Sequence, residues 1–493
     1  MLLAALLLAL FMLSGCVGEP EERALIDLSQ SPIDVGVPAP EQDAWSDGEA
    51  MVTLYFLNET GETLVPTPRR IAVPGSVSLP NATLFALLEG PLEGETGAHW
   101  PELGDVRGET WAEFCGQIAT VSLPARARAL DAQMLHALRL AIAGTLTELP
   151  GVGYVNVLVG GREEGFDLGA TLPVGTLSRV RDTDAGAQYR RLEEQMQGAS
   201  GFTKLTTLYY PTRDGAHVLC AVRSVSYTSA TAIDCLYTLL SELGKGADQP
   251  LAAPSMPAPM DYIEEMPEIV RVGEGAYRAI ELRFGAGLDG ALAGAGLTRG
   301  VYLAMLADTL LGFVPGVDGL LVTVGSERVT ALSEAQTPDG EAIAFEQGLI
   351  TRAAFVRYTG SPVTLYVPDA QTGKLAAVQR ALSQDVQHDP RARLLGLMAQ
   401  GALPEGLGDE DILAACVQGD CALLNLSGAF ARALEALTPE EERAAVYAMV
   451  NTLTEDSDVR SVVFFFDAEQ VERLAGGLEM RGSFLRNPGM VVR

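Results

Sequence analysis

The chain has 493 residues, of which 48% are hydrophobic, and its formal net charge at pH 7 is −30. This hydrophobic content is enough to build buried cores and excludes a disordered chain, and the length predicts about three domains. A surface this acidic repels phosphate groups, so we expect neither nucleic acid nor anionic lipid head groups as a partner surface.

The chain begins with an apolar stretch of signal-peptide length, MLLAALLLALFMLSGC, which is too short to span a bilayer comfortably. Its end, Leu13-Ser14-Gly15-Cys16, resembles the lipobox of bacterial lipoproteins, in which the cysteine is acylated and the chain is cut just before it. The resemblance implies a lipoprotein signal peptide at residues 1–15 and a lipid anchor on Cys16. The alternative is an ordinary signal peptide in which Cys16 is incidental.

The next segment, residues 16–50, is acidic and contains several prolines. This composition is typical of an extended chain rather than of a packed element. We therefore expect a tether that holds the first folded unit away from the membrane.

Three similar segments follow, and each opens with the tripeptide Thr-Leu-Tyr. The copies are Thr53–Tyr55, Thr207–Tyr209 and Thr364–Tyr366, which lie 154 and 157 residues apart. Their β-branched and aromatic residues are typical of a half-buried strand. A period this long indicates duplication of a whole domain rather than a solenoid of short repeats.

A short amphipathic helix with a leucine stripe and a glycine stop is predicted after each of these strands, at residues 82–94, 232–246 and 391–406. A hairpin is predicted next in the second and third copies. In the first copy only the second arm of this hairpin, QIATVSLP, is plain.

A second, longer helix is predicted after the hairpin. Its start is clearest in the third copy, where Thr438 is a typical N-cap followed by proline and two glutamates. In all three copies the helix ends on the dipeptide Thr-Leu, at Thr145-Leu146, Thr309-Leu310 and Thr452-Leu453.

A further strand and a tail with the pattern Gly-x-x-x-Arg close each copy. The tail residues are Gly175 and Arg179, Gly348 and Arg352, and Gly482 and Arg486. Several landmarks in the same order predict three tandem domains of the α+β class, each a two-layer β–α–β–β–α–β unit with a small mixed sheet covered by two helices. The expected ranges are 51–180, 203–353 and 361–493, with residues 181–202 as a linker.

The pattern resembles the GerMN domain of sporulation and spore-germination proteins. The resemblance is carried by VTLYF (52–56), LFALLEGP (84–91), ALLNLSGAF (422–430) and the segment 444–468. It implies a lipoprotein on the outer face of the bacterial cytoplasmic membrane, a role in spore development or germination, and a fold similar to ring-building modules. The family has no recognised catalytic residues, so the resemblance implies none here.

One motif points to different chemistry. Residues 285–290 read G-x-G-x-x-G after a predicted strand, as in dinucleotide-binding folds. Such a fold needs an acidic residue at the end of the next strand, whereas the candidate, Asp308, falls inside a predicted helix. We therefore interpret the motif as a glycine-rich loop and expect no cofactor.

Histidine and cysteine spacing predicts no metal site, because His99, His136, His217 and His388 are scattered. Besides Cys16 the chain has five cysteines, an odd number that cannot all pair internally. Cys416 and Cys421 flank a predicted turn, where they are either a cross-strand pair or two small buried thiols. The glutamates at 440–442 are explained by a helix N-terminus.

These observations favour a non-catalytic envelope lipoprotein that acts in sporulation or germination through protein contacts. Expected partners are other envelope or sporulation proteins or further copies of the chain, with the membrane reached through the lipid anchor. A lipoprotein that senses a germinant or a cell-wall fragment is the alternative, and it would need a pocket. A wall-active hydrolase would need catalytic geometry that the sequence does not show.

Overall fold

The computed structural model describes residues 30–31, 37–95, 100–166, 172–198, 201–384, 386, 388–455 and 458–492. The predicted signal peptide and Cys16 lie outside the described residues. Within them, one arrangement of elements occurs three times, in residues 48–181 (unit 1), 202–358 (unit 2) and 360–492 (unit 3).

Each unit begins with an antiparallel ribbon of two ten-residue strands, followed by a first helix. A four-stranded mixed sheet, the main sheet, comes next. Its first two strands form an antiparallel hairpin, its second and third strands are parallel, and its fourth strand is antiparallel to the third. The second helix makes the crossover between the parallel strands. The predicted α+β class with repeated mixed sheets is confirmed.

Unit 1 follows this plan, and an additional helix, Ala185–Gly198, lies in the segment expected to be a linker. The ribbon strands are Gly48–Leu57 and Leu64–Val73, the first helix is Leu79–Leu88, the main-sheet strands are Ala112–Cys115, Ile118–Leu123, Tyr154–Val159 and Leu177–Ser178, a 3-10 helix is Ala125–Ala129, and the second helix is Ala132–Leu146.

Unit 2 adds short elements around the same plan. The ribbon strands are Phe202–Pro211 and Val218–Tyr227, the first helix is Ala232–Leu243, the main-sheet strands are Glu268–Val272, Tyr277–Phe284, Gly319–Val324 and Glu327–Arg328, and the second helix is Arg299–Leu311. The additions are helices Pro259–Tyr262 and Gly287–Gly294, strands Ala331–Leu332 and Ile343–Ala344, and 3-10 helices Glu334–Gln336, Glu346–Gly348 and Arg352–Tyr358.

Unit 3 has two further strands from the N-terminal segment on its main sheet. The ribbon strands are Gly360–Asp369 and Lys374–Ser383, the first helix is Pro390–Ala399, its own main-sheet strands are Ile412–Gln418, Cys421–Leu426, Ser461–Phe466 and Ser483–Leu485, further helices are Gly428–Glu435, Asp409–Asp411 and Pro488–Met490, and the second helix is Pro439–Leu453. The added strands are Gln30–Ser31 and Ala44–Trp45.

The ribbon differs from the sequence-based expectation of a single opening strand. The Thr-Leu-Tyr strand pairs with the strand that directly follows it, and the two form a separate two-stranded sheet rather than an edge of the main sheet. In unit 1 the second strand reads LVPTPRRIAV, and its two prolines disfavour a strand prediction because proline cannot donate to a ladder.

An arginine at one register position of the ribbon supports the first helix in every unit. Arg69, Arg223 and Arg380 lie on the second ribbon strand. Each is paired with the residue that directly precedes Thr-Leu-Tyr on the first strand. Arg69 donates to the carbonyl oxygens of Ala86 (3.1 Å) and Gly90 (3.0 Å) at the end of its helix. Such a cation satisfies carbonyl groups that have no partner within a helix.

Units 1 and 2 share part of their hydrophobic core, whereas unit 3 has its own. Cys115 and Ile118 of unit 1 belong to the cluster that fills unit 2. A disulfide between Cys115 and Cys220, with 5.9 Å between the Cα atoms, joins the two units at this place. The core of unit 3 consists of residues 363–491 alone.

The described part of the expected tether lies against unit 3 instead of extending freely. Residues 37–46, which we call the strap, cross the outer face of the main sheet of unit 3. Val37 and Ala39 pack on the buried side chains of Leu423, Val463 and Phe465. The strap therefore covers an apolar sheet face that would otherwise meet water.

Among the described residues no single helix has the length and apolar character needed to cross a membrane. One bent pair, Gly287–Gly294 with Arg299–Leu311, meets the length and composition test when both helices are taken together.

Candidate functional site

The two sequence landmarks Thr-Leu-Tyr and Thr-Leu meet in space in every unit. The backbone N–H of the tyrosine donates to the hydroxyl of the threonine near the end of the second helix. The N–Oγ1 distances are 3.0 Å for Tyr55 and Thr145, 3.0 Å for Tyr209 and Thr309, and 2.9 Å for Tyr366 and Thr452. Since all three threonines are fully buried, the hydroxyl satisfies a buried backbone donor of the ribbon.

In unit 1 the tyrosine side chain continues this contact into an ionic group. The Tyr55 hydroxyl donates to the Glu148 carboxylate (Oη–Oε1 2.9 Å), and Arg179 of the Gly-x-x-x-Arg tail donates to its other oxygen (2.6 Å). Partial burial and the hydrogen bond to Glu148 raise the pKa of Tyr55. The tyrosine therefore stays protonated and acts as a donor.

Unit 3 repeats the same group. The Tyr366 hydroxyl donates to Glu455 (2.9 Å), Arg486 forms an ion pair with Glu455, and Arg486 also lies 2.5 Å from the Tyr366 hydroxyl. The pKa of Tyr366 is raised by burial and by its bond to Glu455. Ribbon, helix end and tail are thus joined by one Tyr–Glu–Arg group in both units.

The glutamate of this group has a sequence signal that the dipeptide alone does not show. Helix ends in units 1 and 3 read Thr-Leu-Thr-Glu, at 145–148 and 452–455, whereas unit 2 reads Thr-Leu-Leu-Gly at 309–312. Extending the comparison by two residues would have identified both glutamates. It would also have shown that unit 2 lacks this carboxylate.

Unit 2 uses other carboxylates in its place. Arg352 pairs with Asp308, one helical turn before Gly312, at 3.2 Å, and with Glu113 of unit 1 at 3.5 Å. Thr359 donates to the second oxygen of Asp308 at 3.3 Å. Complete burial raises the pKa of Asp308 to about 6, against the opposing effect of Arg352.

The site in unit 2 is closed by the main sheet of unit 1. Thr207, beside Tyr209, bonds to Asn156 (3.2 Å) and to Thr176 (2.8 Å), both of which belong to unit 1. The remaining cavity measures about 10 Å³, enough for a single water molecule. Burial raises the pKa of Tyr209 to about 12.

The three sites differ in the solvent exposure of their arginine side chain. The arginine side chain is 63% exposed in unit 1 and 39% exposed in unit 3, but only 12% exposed in unit 2. The arrangement can therefore do two things: it fastens the ribbon to the second helix, and in unit 2 it also serves as the contact with a neighbouring sheet. In each site the charged groups are paired with one another.

The structure separates the other residues that the sequence analysis considered. His136 is buried, with its ring edge-on to Phe166 and tilted against Tyr189; His217 lies beside Gly360, and His99 is outside the described residues. No group of three His, Cys, Asp or Glu side chains in the described ranges could hold a metal ion. Cys416 faces Leu423 rather than Cys421 across the hairpin, and both thiols are free.

The G-x-G-x-x-G segment follows a main-sheet strand, and its residues 287–290 begin the helix Gly287–Gly294, so the prediction of a glycine-rich loop is wrong for most of the motif. Its acidic residue, Asp289, is paired with Arg299, and Asp308 lies within the second helix as predicted. Unit 3 has a helix at the corresponding place, Gly428–Glu435, which begins with the cap Ser427. The glycine segment is therefore the form that this connection takes in unit 2.

Comparison with known proteins gives one family match. Residues 53–165 match the family described as "Germane: Sporulation and spore germination". No curated protein matches the chain. The matched range contains most of unit 1, including Tyr55, Thr145 and Glu148.

Two solved structures are similar to parts of the chain. The tandem GerMN domains of the sporulation protein GerM from Bacillus subtilis are 16% identical over 61% of this chain and 99% of that chain, with a TM-score of 0.22. A Clostridium perfringens chain described as "Putative Lipoprotein" is 19% identical over 27% of this chain and 88% of that chain, with a TM-score of 0.18. These TM-scores are too low to support an argument from the solved structures. The family match shows that residues 53–165 form a GerMN (Germane) domain.

Proposed function

We propose that this chain is a lipid-anchored lipoprotein of the outer face of the bacterial cytoplasmic membrane. In this proposal it acts in sporulation or spore germination through protein–protein contacts and has no catalytic activity. Support comes from the GerMN domain in unit 1, from the lipobox-like sequence ending at Cys16, and from the way in which the repeated units contact each other.

The contact between units 1 and 2 is the observation that carries the proposal. The outer face of the unit 1 main sheet, through Asn156 and Thr120, lies on the Tyr209 site of unit 2. The corresponding sites around Tyr55 and Tyr366 keep exposed arginines. A fold that buries the Tyr209 site against a sheet has two related sites, at Tyr55 and Tyr366, that it could offer to a partner protein.

Site-specific photo-cross-linking in sporulating cells tests this role. A cross-linking residue in place of exposed Arg181 lies two residues from Arg179, and one in place of exposed Glu93 in the same unit is the matched control. We expect defined protein adducts from position 181 that are absent from position 93. Equal adducts at both positions, or none at position 181, would contradict the proposal.

Membrane anchoring is tested separately at the predicted lipidation site. Cys16→Ala should shift the protein from the membrane to the soluble or secreted fraction, because the acyl chains supply the membrane affinity. A Cys16→Ala protein that fractionates with the membrane as the unchanged protein does would exclude the lipid anchor.

One feature favours the alternative, a ligand-binding lipoprotein. A cleft of about 380 Å³ lies where the three units meet, lined by residues such as Ile118, Tyr154, Leu219, Pro250 and Gln379. Its lining includes no Asp, Glu, Lys or Arg side chain, so an occupant would be uncharged and small. Titration of neutral germinants and wall fragments, with Ala221→Trp to fill the cleft, would detect such binding.

A further inference from the structure

The strap carries information about how the protein stands on a membrane. The strap connects the N-terminal part of the chain to the folded units. Although it leads directly into the ribbon of unit 1 at Gly48, its contacts are with unit 3. The point at which the N-terminal part is attached is therefore unit 3, nearly 400 residues further along the chain.

Hydrogen bonds fix the strap at the edge of the unit 3 main sheet. Residues 44–45 pair in parallel with Cys416 and Val417, and the N–H of Ser46 donates to the Val417 carbonyl at 2.8 Å. The Ser46 hydroxyl accepts the N–H of Gly419 at 3.1 Å. These bonds satisfy backbone groups that an edge strand otherwise leaves open.

A charged contact adds to this attachment. The Asp43 carboxylate accepts the N–H of Ala415 at 2.7 Å and pairs with Arg391, which also bonds to Asp409. On the sheet face, the Pro40 carbonyl accepts a hydrogen bond from the Asn425 side chain at 3.2 Å. These polar contacts and the apolar contacts of Val37 and Ala39 together hold the strap on unit 3 along its length.

The preceding residues are attached to unit 3 as well. Gln30 and Ser31 pair with Phe484 and Ser483 at the opposite edge of the same sheet. The 14 residue steps from Cys16 to Gln30 can reach at most about 50 Å. A free chain from Cys16 to Gly48 would average about 30 Å and would enter unit 1 first.

We infer that the strap makes unit 3 the membrane-proximal unit, so that unit 1, with its GerMN domain, lies further from the bilayer than unit 3 does. This inference rests on the proposed lipid anchor at Cys16. It reverses the order expected from a free tether, in which the first folded unit would lie nearest the membrane.

The first part of the test asks whether the strap is bound, and it needs no membrane. In hydrogen exchange of the soluble full-length Cys16→Ala chain, the additional change Asp43→Ala should speed exchange at the Ala415 amide, which loses its acceptor. Glu41→Ala, an exposed acidic neighbour in the same strap, is the matched control and should leave this exchange unchanged. Equal exchange at Ala415 in the presence and absence of Asp43 would overturn the inference.

The second part measures distance from the bilayer. Lipidated protein is reconstituted into vesicles that contain acceptor-labelled lipid, with a donor fluorophore at exposed Glu435 in unit 3 or at exposed Glu59 in unit 1. Energy transfer should be stronger from position 435, and Val37→Asp with Asp43→Ala should abolish the difference. Equal transfer from both positions, or stronger transfer from position 59, would overturn the inference while leaving the anchor itself established.

Discussion

The backbone N–H of Tyr366 donates to the hydroxyl of Thr452 over 2.9 Å, and this single bond explains why two distant sequence landmarks recur together. The tyrosine lies in the ribbon and the threonine lies near the end of the second helix. Equivalent bonds in units 1 and 2 differ in length by no more than 0.1 Å. The motif is therefore a joint between two elements rather than a reactive site.

Replacing Thr452 with alanine should destabilise unit 3. The change leaves the buried N–H of Tyr366 without an acceptor, at a cost of about 1–3 kcal/mol. Thr452→Ser keeps the hydroxyl and should recover most of this loss. Denaturant unfolding of both variants, monitored by hydrogen exchange at residues of unit 3, gives the loss in free energy of unfolding. An equal loss in the two variants would show that packing rather than the hydrogen bond matters.

The tail arginines should differ in importance because their surroundings differ. Arg352→Ala leaves Asp308 and Glu113 without their cation at the closed contact between units 1 and 2, so we expect a loss of about 3–5 kcal/mol. Arg486→Ala, the equivalent change at a more exposed site, should cost less than about 1 kcal/mol. Thermal unfolding of the two variants side by side makes the comparison, and similar losses would contradict the assignment of unit 2 as the closed site.

Asp308 should make the stability of the contact between units 1 and 2 dependent on pH. Its pKa is raised by burial from 3.8 to about 6 in the folded protein. A carboxyl group with a raised folded-state pKa favours folding at pH values below its unfolded pKa, and this contribution disappears as the pH rises through about 6. The difference in stability between the unchanged protein and Asp308→Asn should therefore shift by up to about 3 kcal/mol between pH 4 and pH 7.

The measurement compares the denaturant midpoints of both proteins across this pH range, with unfolding monitored by a probe in unit 2. Subtracting the Asp308→Asn curve removes the titration of other groups. A difference that does not change with pH would show that Asp308 is ionised throughout.

Unit 3 should fold without units 1 and 2, because its core contains only its own residues. A fragment of residues 361–493 should unfold cooperatively, but it would expose Leu423, Val463 and Phe465. A peptide of residues 37–46 added in trans should raise the unfolding midpoint, and the same peptide with Asp43→Ala should do so less. No effect of either peptide would show that the strap does not stabilise this sheet.

The sequence allowed the repeated elements to be predicted because their signals are local. The N-cap at Thr438, the capping box with Glu441 and the helix end at Leu453 all follow from neighbouring residues, and the structure confirms them. The α+β class and the mixed main sheets follow from the order of these elements. The GerMN resemblance is confirmed for residues 53–165.

Features that depend on distant residues could not be predicted. The strap pairs residues 44–45 with Cys416 and Val417, and no local pattern indicates a partner so far along the chain. Unit 2 has Gly312 where units 1 and 3 have a glutamate. The loss of this carboxylate is explained only by the structure, in which Glu113 of unit 1 lies beside Arg352. The second ribbon strand of unit 1 was hidden by Pro66 and Pro68, which a ribbon tolerates because it has open edges.

The disulfide and the shared core between units 1 and 2 have a consequence for how such chains can evolve. Cys115 and Cys220 lie on different repeats, and Thr207 of the second repeat is satisfied by side chains of the first. Recombination that replaced either repeat alone would leave an odd thiol and unsatisfied hydroxyls in a buried place. We therefore expect the first two repeats to be inherited as one block, and exchange of the third to require the ten residues of the strap that cover its sheet.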